Sequence, residues 1–293
     1  MKFKKNAPDR RKRNILLKTT AAIAITFLIL FISGFFIEGQ GAWSPDYPKI
    51  ELGSMIDQEE LSENDYKIIL LQTGLGKAAT DKIVADYEAG AARENTLNGY
   101  QDDFFSSGSY KSRKIGVITF EDDNSNENGE IVKGFDFADL RNGDVLISMT
   151  THSLGWRHGH AAIVTDASDG ETLEAVLLGT DSMLQNIEKW QSYSNCIILR
   201  LKDNTDGVSE EIAEYAKDTM YDVPYGLFTG IPDKAPEIIR KTQCAHLIWY
   251  PYYHFGYDID SDGSWLVTPK DIANSDLFEI VQVYGADPEE LWP

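Results

Sequence analysis

Positive charge is scarce in this sequence. Of its 293 residues, 27 are Lys or Arg against 47 Asp or Glu, a formal net charge of −20. Residues 1–18 hold eight of the cations and one anion, which leaves 19 cations against 46 anions in residues 19–293. A body that acidic repels phosphate backbones and excludes nucleic acid as a partner. There is no Gly-rich phosphate loop and no internal repeat. Cysteine is nearly absent too: Cys196 and Cys244 allow at most one disulfide. Apolar residues are not short. They make up 42% of the chain, with 11% aromatic, enough for one sizeable domain or two small ones.

The basic segment is a separate device. Between Lys18 and Glu38 no charge occurs, and residues 19–37 (TTAAIAITFLILFISGFFI) are apolar or small. As a helix they would span roughly 28 Å, close to a bilayer core. The flank of Lys and Arg before them predicts a cytoplasmic N-terminus (residues 1–18), with everything after Glu38 exported. Residues 19–37 therefore read as a membrane-spanning signal anchor. The alternative is a signal peptide cleaved near Gly39–Gly41–Ala42, which would leave a secreted protein.

Residues 38–61 are rich in Gly, Pro and polar side chains and read as a linker. From Ser62 the pattern turns helical. Ser62 stands as an N-cap before Glu63 and Asp65, and Ile68, Leu70, Leu71 and Leu75 follow at helical spacing. A second amphipathic stretch covers 78–87, and 62–130 reads as a helical extension closed by a polar loop at 121–130. Short β-like runs follow at 144–148, 161–166, 173–177 and 196–202, then helices at 209–220 and 244–250 and a last strand at 280–284. Successive strands flanked by helices predict an α+β domain over 131–285, with 286–293 as a tail.

The chemistry centres on few residues. Cys196 opens the apolar run CIILRL and reads as a small buried hydrophobe. Cys244 follows a polar turn in which Thr242 is a plausible N-cap, which puts the thiol in the first turn of a helix. Orphan N–H groups and the helix dipole favour a thiolate there. A nucleophile, a disulfide partner of Cys196 and an inert thiol all remain open at this point. His160 stands at the start of a strand, well placed to take a thiol proton, and with His158 it also forms an i, i+2 pair of metal-ligating type. No third ligand has suitable local spacing, and no metal or other cofactor is expected. Glu174 lies among apolar neighbours on the next strand. It orients His160 if the two strands pair, and is otherwise solvent-facing. Asp258-x-Asp260-x-Asp262-Gly263 begins like a calcium loop, but Pro269 stands where the bidentate Glu belongs, so an acidic turn is the better reading.

In order, GDVLIS (143–148), HGHAAIV (158–164), LEAV (173–176), PYG (224–226), QCAHLIW (243–249) and LVTPKDI (266–272) resemble the YiiX/YycO-like cysteine hydrolases. These are circularly permuted relatives of the papain-like NlpC cell-wall peptidases, with the His strand before the Cys helix. The resemblance, over roughly residues 62–285, implies a permuted papain-like fold whose antiparallel sheet packs on the Cys-bearing helix. It implies Cys244 as nucleophile, His160 as general base and Glu174 as the group that orients it, with Tyr225 and Gln243 on the oxyanion or substrate side. Ala245 departs from the pattern, since many relatives carry Ser after the Cys. The implied activity is cleavage of amide or peptide bonds, cell-wall peptidoglycan among them, through an acyl-enzyme. Two alternatives stand beside it: a lipid-directed acyltransferase or thioesterase, and a non-catalytic surface domain. The expected partners are a peptide, peptidoglycan or acyl substrate, and a membrane through the N-terminal helix. The oligomeric state is not legible.

Overall fold

The computed structural model describes residues 10–37, 41–58, 60–106, 108–153, 155–204, 207–231 and 233–292. Its core is a six-stranded antiparallel sheet in the order β10-β9-β3-β6-β7-β8. These are β3 Val145–Ser148, β6 His160–Asp166, β7 Glu171–Glu174, β8 Met183–Asn186, β9 Cys196–Leu201 and β10 Phe278–Tyr284. Helices cover both faces. Val145, Ile147, Ile163 and Leu199 pack against α6 Val208–Met220 and α7 Cys244–His254. Leu146, Val164 and Ile198 point the other way, toward α3 Glu63–Thr73, α4 Lys77–Asp86 and α5 Ala91–Ser106. Burial on both faces is why these strands read as unbroken apolar runs rather than alternating ones.

Local signals agree with this build. Ser62 and Asp65 form a reciprocal capping box at the start of α3. That helix stops at Gly74, in the left-handed conformation at φ 71°, where a Cβ would lie 2.0 Å from the Val283 carbonyl oxygen. Arg200 on β9 is buried and donates to Asp144 (2.7 and 2.8 Å) and Asp139 (2.8 Å), tying the start of β3 to the neighbouring strand.

Several expectations are corrected. The described part of the linker is structured: the Gly41 carbonyl accepts from Asn195 Nδ2 at 2.8 Å, and Leu52 and Ile56, the latter in α2 Gly53–Ile56, are buried. The 62–130 extension is not all helix. It continues into β1 Tyr110–Lys114 and β2 Thr119–Asn124, which with β4 His152–Ser153 and β5 Trp156–Arg157 form a second sheet in the order β1-β2-β4-β5. The polar loop assigned to 121–130 therefore begins as a strand. Its carboxylates are buried because neighbours satisfy them: Arg113 bonds Asp123 and Glu121, and Arg157 bonds Asp122. The strand expected over 173–177 ends at Glu174. Residues 286–292 of the expected tail pack down, with Ala286 buried and Trp292 against Gly159.

Residues 1–9 and 38–40, which carry part of the basic segment and the cleavage site, lie outside the described residues. Arg10–Ile37 forms a helix, α1. Among the described residues, however, no helix is long and apolar enough to cross a membrane. The expected spanning helix over 19–37 therefore has no support here.

Replacing Arg200 with Met should deprive the buried Asp144 and Asp139 of their shared buried cation, leaving only Arg141 beside them. The expected loss is about 3–5 kcal/mol in urea unfolding; a loss below about 1 kcal/mol would show that the pairing contributes little.

Candidate active site

The thiol is set by a side chain rather than by backbone alone. Gln243 precedes α7 and caps it: Oε1 accepts from the Ala245 N–H at 2.8 Å, and Nε2 donates to the Val267 carbonyl at 2.7 Å. Thr242, the expected cap, instead places its hydroxyl 3.2 Å from the His246 ring. Cys244 is thus the first residue of α7, with Sγ 3.5 Å from Gln243 Oε1. Its thiol is mostly buried, at 7% exposure, but it lines an open cleft. Cys196 is buried in β9, both cysteines are free, and burial pushes the Cys196 thiol far up.

His160 begins β6, and β6 pairs antiparallel with β7. Their register matches Ile163 with Leu173, so Glu174 falls one diagonal step from His160, within reach of a long side chain. His160 Nε2 lies 2.6 Å from Glu174 Oε2, and the same ring is electrostatically coupled to the neighbouring Cys244 thiol. The structure thus brings Cys244, His160 and Glu174 together, with Nε2 engaged by Glu174 and the ring's other side left for the thiol.

Glu174 is fully buried, and four side chains donate to it: His160, Lys189 Nζ (2.6 Å), Trp190 Nε1 (3.1 Å) and Thr172 Oγ1 (2.7 Å). Burial alone would push its pKa up. The His160 hydrogen bond and the Lys189 charge outweigh that and hold it at about 2. Burial likewise opposes a charged His160, but the interactions with Cys244 and Glu174 win and raise it to about 9. The Trp190 ring stacks on His160 at 5.4 Å and fixes its plane. Thr172, Lys189 and Trp190 escaped sequence reasoning. Thr172 is the exception in having a signal, since it lies two residues before Glu174 and hence on the same strand face.

Tyr225 lines the same cleft. Burial, and then the nearby Cys244, pushes its hydroxyl up, so the phenol stays a donor. The cleft has a volume of about 860 Å³ and walls that are mainly apolar: Val117, Ile118, Leu177, Leu178, Leu266 and Trp292. Val117 and Ile118 come from the turn between β1 and β2, so the second sheet supplies one wall.

His246 and His254 separate from this centre, whereas His158 lines the cleft. His246 is buried between Thr242 and the Lys234 carbonyl, and His254 stacks on Tyr215. His158 bonds Ser153. In the acidic turn, carboxylates of Asp260, Asp262 and Asp271 lie within 4.8 Å of one another, but Asp260 pairs with Lys234 and Asp271 caps α8 Pro269–Ala273 through Thr268.

No protein-family model matches the chain, and no curated protein matches it. One solved structure is similar, the metalloprotein YiiX from Escherichia coli O157:H7. It shares 11% identity at a TM-score of 0.39 over 48% of this chain and 96% of its own, too slight a likeness to assign a fold or an activity.

His160 should titrate near pH 9 when followed by NMR, and Glu174→Gln should move that titration down by more than about one unit. An unchanged titration in the variant would refute the coupling. The raised imidazole pKa contributes stability that is complete below its ordinary 6.5 and is lost as pH rises through about 9. The depressed Glu174 contributes stability that is present above 4.5 and lost as pH falls through about 2.

Proposed function

We propose that the chain is a cysteine hydrolase that forms an acyl-enzyme on Cys244. The observation that carries this reading is the shared environment of the triad: a thiol at a helix start on an open cleft, coupled electrostatically to an imidazole that a four-donor buried carboxylate orients. The thiolate attacks a carbonyl carbon, and His160 gives its proton to the departing group. The Tyr225 hydroxyl and the Cys244 backbone N–H are the nearby donors for the oxyanion. Gln243 contributes by capping α7, since its amide nitrogen is held by Val267. The His strand precedes the Cys helix in a mixed α+β architecture, which supports a circularly permuted papain-like arrangement.

Of the substrate classes, an acyl group with an apolar chain suits the cleft best, because Val117, Ile118, Leu177, Leu178 and Leu266 would bury such a chain. This favours the thioesterase or acyltransferase reading within the same mechanism. A peptide or peptidoglycan amide is the second reading, favoured by the triad alone. The buried polar network argues against a binding domain, which has no use for a charged imidazole held beside a thiol. The one-sided basic flank of residues 1–18 supports export.

Iodoacetamide should label native protein at Cys244 and leave Cys196 untouched, without prior reductant. Cys244→Ala should lower turnover of 4-nitrophenyl octanoate by at least about a thousandfold. A muropeptide run in parallel separates the two substrate readings. Equal behaviour of both proteins on both substrates would rule out catalysis.

A further inference from the structure

The cleft holds a second hydroxyl–imidazole pair that the triad does not use. Ser153 closes β4 and His158 follows β5, and both line the cleft together with Cys244. Ser153 Oγ lies 3.0 Å from His158 Nε2, and Thr119 Oγ1 lies 3.0 Å from Ser153 Oγ. The other ring nitrogen of His158, Nδ1, is 3.0 Å from the Gly159 carbonyl oxygen. A carbonyl only accepts, so Nδ1 carries the proton and Nε2 presents its lone pair to the serine hydroxyl. A hydroxyl on an imidazole, with the imidazole oriented by a third group, is the geometry that activates oxygen nucleophiles.

The two imidazoles are driven apart. His160 is held toward its charged form by Glu174 and Cys244, whereas His158, solvent-exposed on the cleft wall but crowded by protein atoms, is pushed down by desolvation. Groups separated in this way divide acid and base work between them. Resting on the acyl-enzyme reading above, we propose that Ser153 and His158 form the acceptor side of the site and deprotonate the water or alcohol that resolves the Cys244 thioester. The acceptor oxygen bonds to the thioester carbon while its proton passes through the Ser153 hydroxyl to His158 Nε2. The C–S bond breaks and its electron pair returns to Sγ. His160, neutral since it protonated the first leaving group, regains a proton from solvent as His158 releases one. Water gives the free acid, and an alcohol gives the transferred ester.

The experiment is burst and steady-state kinetics of the full chain with 4-nitrophenyl octanoate, with and without added methanol, followed by intact mass. His158→Gln and Ser153→Ala should each retain the nitrophenolate burst, slow the following phase by tenfold or more, accumulate octanoyl-Cys244 and lower the yield of methyl ester. If both variants deacylate at the wild-type rate, or both lose the burst along with turnover, the proposal is overturned. If wild type shows no burst, or Cys244→Ala retains it, the acyl-enzyme reading fails instead. Should one variant fail to fold, the other carries the same comparison.

Discussion

A carboxylate with no solvent contact cannot stay ionised unless the protein replaces its water. Glu174 is that group, and its four donors are drawn from β6, from β7 itself and from the turn after β8. Removing a donor leaves a buried charge underpaid in hydrogen bonds, a cost of several kcal/mol for an ion without its partner. The pairing of β6, β7 and β8 is therefore held together by the same contacts that orient His160. The ring it orients also contacts Cys244, which connects the helix-packed half of the molecule to this electrostatic centre.

Around that centre the apolar core sets position and the polar atoms set chemistry. The six-stranded sheet is buried on both faces, so β6 has little freedom to slip: a one-residue shift would carry His160 to the other face. On the other side of the cleft, α7 is fixed through the double use of the Gln243 amide and the Tyr252 hydroxyl bonded to the Gly143 carbonyl. Thiol and imidazole are thus each held by separate rigid elements, the condition for a preorganised pair.

Periodicity and capping made much of this legible. The capping box at Ser62, the apolar strands at 145–148, 161–166 and 196–201, and the helix carrying Cys244 all follow from local pattern. The three residues expected at the triad do come together. What escaped was satisfied polarity. Glu121, Asp122 and Asp123 look like a solvated loop until Arg113 and Arg157 are brought to them from elsewhere in the chain. Likewise nothing in the local sequence ties Lys189 and Trp190 to Glu174, which lies across a strand pairing that no short spacing encodes. Residues 41–58 look like a linker for the same reason, as their contacts are with residues far along the chain.

The turn between β1 and β2 carries one further meaning. The proposed thiol, imidazole and carboxylate come from residues 160–244, yet a wall of the cleft comes from residues 116–119. On the proposed reading, chemistry and substrate choice therefore reside in separable stretches of the polypeptide. Substitutions in that hairpin can retune which molecules enter without touching the reacting atoms, so divergence among related chains should concentrate there while the triad stays fixed.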